Sequence, residues 1–144
     1  MIAASLAVVM LAASGQSVPA EAIGYSPATG AYSFTIAVPE DATLIHREIL
    51  DFDLYQIIVD GRPVLGLYEG FTANVSSWVQ DRHAEARQDR VFNGQPTEYF
   101  WNLQCDGWSN EVHAWLLPGE TEADATRGRQ VAETLALKPC VHPK

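Results

Sequence analysis

Alternation of apolar and polar residues predicts β-strands in the first half of the chain. Residues 32–38 alternate in this way and are followed by a proline, which commonly ends a strand. Residues 52–59 and 64–68 are two further predicted strands, and the Asp60-Gly61 pair between them is typical of a two-residue type I′ hairpin. Both strands of this hairpin carry apolar residues on both faces, so we expect them in the interior of a sheet.

A second hairpin is predicted from residues 97–104 and 111–117, joined by a loop over residues 106–110. The apolar residues of its returning strand share one face: Val112, Ala114 and Leu116. Residues 73–90 are less regular, and the spacing of their apolar side chains predicts a short helix with a polar outer face. The side chains concerned are Val75, Trp78, Val79 and Ala86.

A C-terminal helix is predicted from Thr121 to about residue 136. Thr121-x-x-Asp124 resembles a capping box, in which side chains bind the free N–H groups of the first turn. Small and apolar residues fall on one side of this helix and allow close packing on a sheet: Ala125, Gly128, Val131, Ala132 and Leu135. The predicted fold is therefore α+β, an antiparallel sheet built from hairpins with a C-terminal helix packed across one face.

The first 20 residues differ from the rest of the chain. The stretch from Ile2 to Ala13 is almost wholly apolar, and residues 1–20 contain no charged side chain. About a dozen apolar residues match the central region of a signal peptide and fall short of the ~20 needed to cross a bilayer. Val18-Pro19-Ala20 fits the small-x-small rule for cleavage. We therefore predict a signal peptide over residues 1–20, a single domain over residues 21–144 without a membrane anchor, and a periplasmic or secreted location.

The charge of the chain is strongly acidic. Its 144 residues include 18 Asp and Glu against 9 Lys and Arg, which gives a net charge of −9, and all of this charge lies beyond residue 20. Such a surface repels phosphate backbones and anionic lipid headgroups. The sequence thus argues against a partner made of nucleic acid.

Cys105 and Cys140 are the only two cysteines of the chain. In an oxidising compartment such a pair predicts a disulfide bond, which would stabilise the fold by roughly 3–4 kcal/mol. The alternatives are a metal site completed by His113 or His142, and a redox pair, although the chain has no C-x-x-C motif.

The order of these elements resembles a known family. The segment Phe34-x-Ile36-x-Val38-Pro39-Glu40, the hairpins that follow and a closing helix ending at Thr134-Leu135-Ala136-Leu137 look like the Mog1/PsbP-like α+β sandwich. The chain also resembles small exported bacterial proteins without an assigned function. The resemblance implies a binding or assembly protein and brings no catalytic set with it.

Residues suited to catalysis are few. The chain has no G-x-S-x-G, no H-E-x-x-H and no phosphate-binding glycine loop. His46-x-Glu48 with Asp51 and Asp53 forms a polar cluster that either binds a divalent cation or is a solvated loop. The alternative function is accordingly a small hydrolase or metal-dependent enzyme that uses His46, Asp51, Asp53 or His113.

Aromatic residues concentrate on the predicted second hairpin: Tyr99, Phe100, Trp101, Trp108 and Trp115. Core packing is the ordinary explanation for such residues. An exposed tryptophan in a hairpin loop, where Trp108 is predicted, would instead mark a binding surface. His113 and Trp115 share one strand face, which either lines a groove or packs beneath the helix.

These residues define a candidate binding surface: Tyr99, Trp101, Trp108, His113 and Trp115. The leading hypothesis is a non-enzymatic exported domain without a cofactor or metal, which binds a protein or a small-molecule ligand or acts in assembly. The sequence does not specify that ligand.

Overall fold

Antiparallel β-strands make up most of the chain that the structure describes. This structure is a computed structural model that describes residues 33–117 and 121–140. The predicted signal peptide, residue 32 of the first predicted strand and His142 lie outside these residues. The elements within them are β1 (Phe34–Thr35), β2 (Ala42–Ile49), β3 (Phe52–Val59), β4 (Arg62–Gly70), β5 (Gln88–Phe92), β6 (Gln95–Cys105), β7 (Trp108–Leu116), α1 (Glu122–Ala132) and β8 (Ala136–Leu137).

Six of these strands form one sheet in the order β2-β3-β4-β7-β6-β5. The chain builds this sheet as two sets of consecutive hairpins, and antiparallel pairing of β4 with β7 joins the sets. The short strands β1 and β8 form a separate antiparallel pair. The predicted antiparallel sheet of hairpins with one C-terminal helix is confirmed, although the described chain contains more strand than helix.

The hairpin of β3 and β4 has the turn that its sequence predicts. Asp60 has φ 53° and Gly61 has φ 75°, the left-handed values that a type I′ turn requires at both central residues. Each of the two strands has a neighbour on both sides. Their predicted place in the interior of the sheet is therefore confirmed.

The C-terminal helix begins as its sequence predicts. Thr121 caps it, because its Oγ1 accepts a hydrogen bond of 3.1 Å from the backbone N–H of Asp124. The carboxylate of Asp124 receives two hydrogen bonds of 2.9 Å from Arg62 on β4. A Cβ atom at Gly128 would lie 2.5 Å from the carbonyl oxygen of Val64. The missing side chain thus allows the helix to approach β4 closely.

The helix ends earlier than its sequence predicts. It stops at Ala132, whereas Ala136–Leu137 pairs with Phe34–Thr35 as a strand. Thr134 supports this change because its Oγ1 accepts a hydrogen bond from the N–H of Ala37 at 3.0 Å. The helix therefore ends where the chain begins to contact a segment about 100 residues away. The local sequence around the helix end gives no sign of these contacts.

The two faces of the six-stranded sheet differ in what covers them. We call one the helix face, because α1 and the residues around β1 pack on it and enclose the main apolar core. The strand residues of this core include Tyr55, Ile57, Leu65, Leu67, Tyr99, Trp101, Val112 and Ala114. We call the other the groove face. The loop of residues 71–87 lies on it and encloses a smaller cluster of Ala73, Val75 and Phe100, with Tyr68, Trp78 and Val79 packed against it.

Two further local predictions are wrong, and two strands are absent from the prediction. Residues 73–87 form turns and bends instead of a helix, and residues 88–90 begin β5, because Val75 packs in one cluster with Phe100 and the segment is held against the sheet. Strands β2 and β5 were not predicted, since both lie at sheet edges where many side chains are exposed and the apolar alternation is weak. The loop of the second hairpin is also shorter than predicted, because Gly107 at φ 86° permits a tight turn.

Candidate functional site

An open groove of about 930 Å³ lies on the groove face. Four separate segments of the chain line it, within residues 51–54, 68–78, 90–98 and 113–116. Strands β3, β4 and β7 contribute Phe52, Leu54, Tyr68, His113, Trp115 and Leu116. The turn before β3 and the 71–87 loop contribute Asp51, Phe71, Thr72, Asn74, Ser77 and Trp78. Strands β5 and β6 contribute Arg90, Thr97 and Glu98. The volume lies within the range of about 300–1,000 Å³ that is typical of small-molecule sites.

Two glycines of β4 allow aromatic rings to lie flat on the sheet within this groove. A Cβ atom at Gly66 would lie 2.5 Å from the Trp115 indole, and one at Gly70 would lie 2.5 Å from the hydroxyl of Tyr68. The ring of Tyr68 also stacks on that of Phe52, with centroids 5.5 Å apart. The aromatic floor of the groove therefore depends on residues without side chains directly beneath it.

A chain of polar contacts crosses the centre of the groove. The Nε2 atom of His113 lies 2.8 Å from Oε1 of Glu98, and Oε2 of Glu98 accepts a hydrogen bond of 2.8 Å from Arg90. Burial lowers the pKa of His113 below its usual value of 6.5, although the contact with Glu98 opposes the shift. The imidazole is therefore largely neutral at neutral pH. It lies between the rings of Trp78 and Trp115, with centroid distances of 6.1 and 4.9 Å.

A partly buried ion pair attaches the 71–87 loop to the groove face. Arg82 donates hydrogen bonds to both carboxylate oxygens of Glu111 on β7, at 2.6 and 3.0 Å. The same carboxylate accepts a bond of 2.7 Å from the backbone N–H of Ala73, and Asn102 donates to the carbonyl oxygen of Arg82. These bonds fix the loop that carries Phe71 and Trp78, so one side of the groove is held in position.

A second polar cluster lies on the helix face, away from the groove. The hydroxyl of Tyr55 donates a hydrogen bond of 2.8 Å to the buried Glu69. Next to it, Asp53 lies 2.8 Å from Nε2 of His46, whose ring stacks on Tyr55. Burial raises the pKa of Glu69 to about 7. This cluster is closed to a ligand by its burial, since Asp53, Tyr55 and Glu69 are each at most 2% exposed.

The residues of the predicted binding surface divide between the two faces. His113 and Trp115 line the groove. Tyr99 and Trp101 point to the helix face and lie in the core at 0% and 7% exposure, because they alternate with the groove-facing residues of β6. Trp108 is half-buried at the start of β7, opposite Cys105, and not in a loop. The groove therefore contains two of the five predicted residues.

The residues of the alternative enzyme site are also divided. Asp51 and His113 line the groove, whereas His46 and Asp53 bind each other on the helix face. Within the described chain, no group of three or more His, Cys, Asp or Glu side chains is arranged to hold a metal ion.

The predicted disulfide bond is present. Cys105 and Cys140 are bonded, with their Cα atoms 5.5 Å apart. The bond ties the segment after β8 to the end of β6 and indicates an oxidising, extracytoplasmic environment.

Sequence reasoning did not single out four residues that shape the groove: Phe71, Trp78, Arg90 and Glu98. The apolar spacing of residues 73–90 predicts a helix that includes Trp78. A signal for Glu98 was present, because the alternation of β6 places it on the face opposite to Tyr99. Glu98 approaches His113 because the strand register pairs Glu98 with Trp115. The sequence pattern alone does not specify this register.

Comparisons with family models, curated proteins and solved structures give no match to this chain. The resemblance to the Mog1/PsbP-like sandwich therefore stays a prediction. Among residues 33–117 and 121–140, no helix has the length and apolar content needed to span a bilayer.

Proposed function

We propose that this chain is a non-enzymatic binding domain of the periplasm or the extracellular space, and that the groove holds its ligand. The observation that carries this proposal is the groove itself, in which Trp78 and Trp115 flank the imidazole of His113. Aromatic side chains with a few well-placed polar groups are the usual lining of a ligand site. The location rests on the signal-like residues 1–20 and on the disulfide bond.

The exposure of the groove residues supports a site that is open before the ligand arrives. Phe71 lies at the groove with 65% of its surface exposed, although it is a large apolar side chain. Its neighbour Thr72 is tied back by a hydrogen bond of 3.1 Å from its N–H to the hydroxyl of Tyr68. The backbone keeps this phenylalanine exposed to water in the free protein. A ligand that covers it removes apolar surface from water, which makes binding more favourable.

Phe71→Ala tests this proposal, with Phe92→Ala as its matched control. Phe92 is 68% exposed, almost the same as Phe71, but it does not line the groove. The probes are four soluble compounds of different classes: a neutral oligosaccharide, a proline-rich peptide, a tetraalkylammonium salt and a medium-chain fatty acid. Binding is measured by the rise in unfolding temperature and by tryptophan fluorescence, because a ligand that binds only the folded protein stabilises it.

We expect at least one probe to bind, and we expect Phe71→Ala to weaken that binding about tenfold while Phe92→Ala leaves it unchanged. Equal binding by both variants would place the site elsewhere. Failure of every probe to bind the wild-type protein would contradict the proposal as well.

The contact between His113 and Glu98, with Asp51 in the same groove, favours a small hydrolase as the second candidate. A neutral imidazole held by a carboxylate is the arrangement of a general base. Hydrolysis of p-nitrophenyl esters and glycosides by the wild-type protein, lost in His113→Gln, would establish it. Hydrolysis at the same rate in the variant would exclude this site as its source.

A further inference from the structure

The lining of the groove points to a class of ligand, and we infer that the ligand is a short neutral oligosaccharide. This inference rests on the proposed function, since it identifies what the same groove binds. Its basis is the juxtaposition of flat aromatic rings with the ion pair of Arg90 and Glu98.

The aromatic residues match one part of a sugar ring. A pyranose has two faces that consist largely of C–H groups and an edge that carries hydroxyl groups. The rings of Tyr68, Trp78 and Trp115 offer flat apolar surfaces, which gain free energy when they cover such C–H faces. Because three rings line this groove, a chain of several sugar rings can contact more of them than a single sugar ring can.

The polar residues match the hydroxyl edge. Arg90 presents only donors and Glu98 only acceptors, and the two groups lie 2.8 Å apart. A hydroxyl group both donates and accepts, so neighbouring hydroxyls satisfy both members of the pair. Thr97 on β6 and Asn74 and Ser77 on the loop add further groups of mixed donor and acceptor character.

The charge of the groove favours a neutral ligand. Arg90 balances the charge of Glu98, and Asp51 leaves an excess of negative charge. The whole chain adds to this effect with its net charge of −9. Uronic acids and sulfated sugars are therefore repelled at long range and meet no unpaired cation among the described residues that line the groove.

A proline-rich peptide is the main competitor, because aromatic grooves also bind extended peptides of this kind. Such a peptide presents carbonyl acceptors but few N–H donors, since proline has none. The carboxylates of Asp51 and Glu98 would then lose water without gaining a donor, which is unfavourable. The acceptors of the groove thus favour a ligand with hydroxyl groups.

The test is calorimetric titration of the purified protein with neutral oligosaccharides of glucose, N-acetylglucosamine, mannose and galactose. Oligogalacturonate serves as the anionic comparison and a proline-rich peptide as the competitor. Arg90→Gln replaces a charged guanidinium group, on a side chain that is 53% exposed, by a shorter neutral amide, and Arg127→Gln, with 34% exposure and its own partner in Asp41, is the control outside the groove.

We expect at least one neutral oligosaccharide to bind, Arg90→Gln to weaken its binding about tenfold or more, and Arg127→Gln to leave it unchanged. Oligogalacturonate should bind at least about tenfold more weakly. The inference is overturned if no neutral oligosaccharide binds at millimolar concentration, if the anionic one binds equally well, or if the two arginine variants bind alike.

The same titrations separate this inference from the proposed function. If only the proline-rich peptide binds and Phe71→Ala weakens it, the groove is a binding site but its ligand is not a saccharide. If no probe of any class binds, both the inference and the proposed function fail.

Discussion

Glu69 offers a direct test of how the protein tolerates a carboxyl group in its core. It lies on the helix face with 1% of its surface exposed, and its Oε1 accepts a hydrogen bond of 2.8 Å from Tyr55. Burial raises its pKa to about 7; the hydrogen bond from Tyr55 opposes the shift, and the charge of Asp53 adds to it. Near neutral pH the folded protein must therefore hold a proton on Glu69 or accept a buried charge.

The size of the effect follows from the two pKa values. In the unfolded chain the pKa returns to its usual value of 4.5. Because the folded value is higher, the folded protein binds more protons than the unfolded chain, and stability falls as the pH rises from 4.5 to about 7. Each pKa unit corresponds to about 1.4 kcal/mol, so ionisation of Glu69 lowers the free energy of unfolding by about 3 kcal/mol.

Glu69→Gln removes this dependence, because the amide keeps the shape of the side chain and an oxygen for Tyr55 but does not ionise. The free energy of unfolding is measured in urea from about pH 4 to about pH 8. The free energy of unfolding of the variant minus that of the wild type should increase by about 3 kcal/mol as the pH rises over this range. Other titrating groups, including His113, are present in both proteins, so their contributions cancel in the difference.

Glu85→Gln is the control, since Glu85 is an exposed carboxylate. As a substitution on the surface, it should change the free energy of unfolding by no more than about 0.5 kcal/mol at each pH that is measured. A difference that is equally flat for Glu69→Gln would refute the reasoning, because it would mean that Glu69 has the same pKa in the folded and unfolded states.

The disulfide bond and the helix contact yield two further predictions. Replacing Cys105 and Cys140 together by serine should lower the free energy of unfolding in urea by about 4 kcal/mol, from the loop entropy of a sequence separation of 35; a loss below about 1 kcal/mol would show that the loop is already restricted when unfolded. Gly128→Ala should destabilise the protein by about 1–3 kcal/mol in thermal unfolding, because the new Cβ meets the carbonyl of Val64. This is the opposite of the effect in an isolated helix, which alanine favours over glycine by about 1 kcal/mol. A higher unfolding temperature in that variant would mean that the helix shifts without cost.

The fold could be predicted where local chemistry is decisive. Asp60-Gly61 has few conformations other than the tight turn that it forms, and Thr121 caps the helix with its own side chain. The strand at residues 42–49 could not be predicted, because it is an edge strand and its exposed polar side chains make no distinct pattern. The predicted helix within residues 73–90 failed for a related reason, since long-range packing against Phe100 decided the conformation of that segment.

The candidate site could be predicted only in part. The alternation of β7 correctly placed His113 and Trp115 on one face. It did not reveal which face would be covered by the helix, so Tyr99 and Trp101 were included although they lie in the core. Alternation separates the two faces of a strand, but the covering elements decide which face stays open.

The sequence by itself determined the hairpins of β3 with β4 and of β6 with β7, the start of the C-terminal helix and the pairing of the two cysteines, because each depends on neighbouring residues or on a single possible partner. Only the tertiary structure decided the groove. Its residues come from four separated segments of the chain, and their approach depends on strand register and on the partly buried pair of Arg82 and Glu111 that fixes the loop. Such contacts form between residues far apart in the sequence, where no local pattern records them.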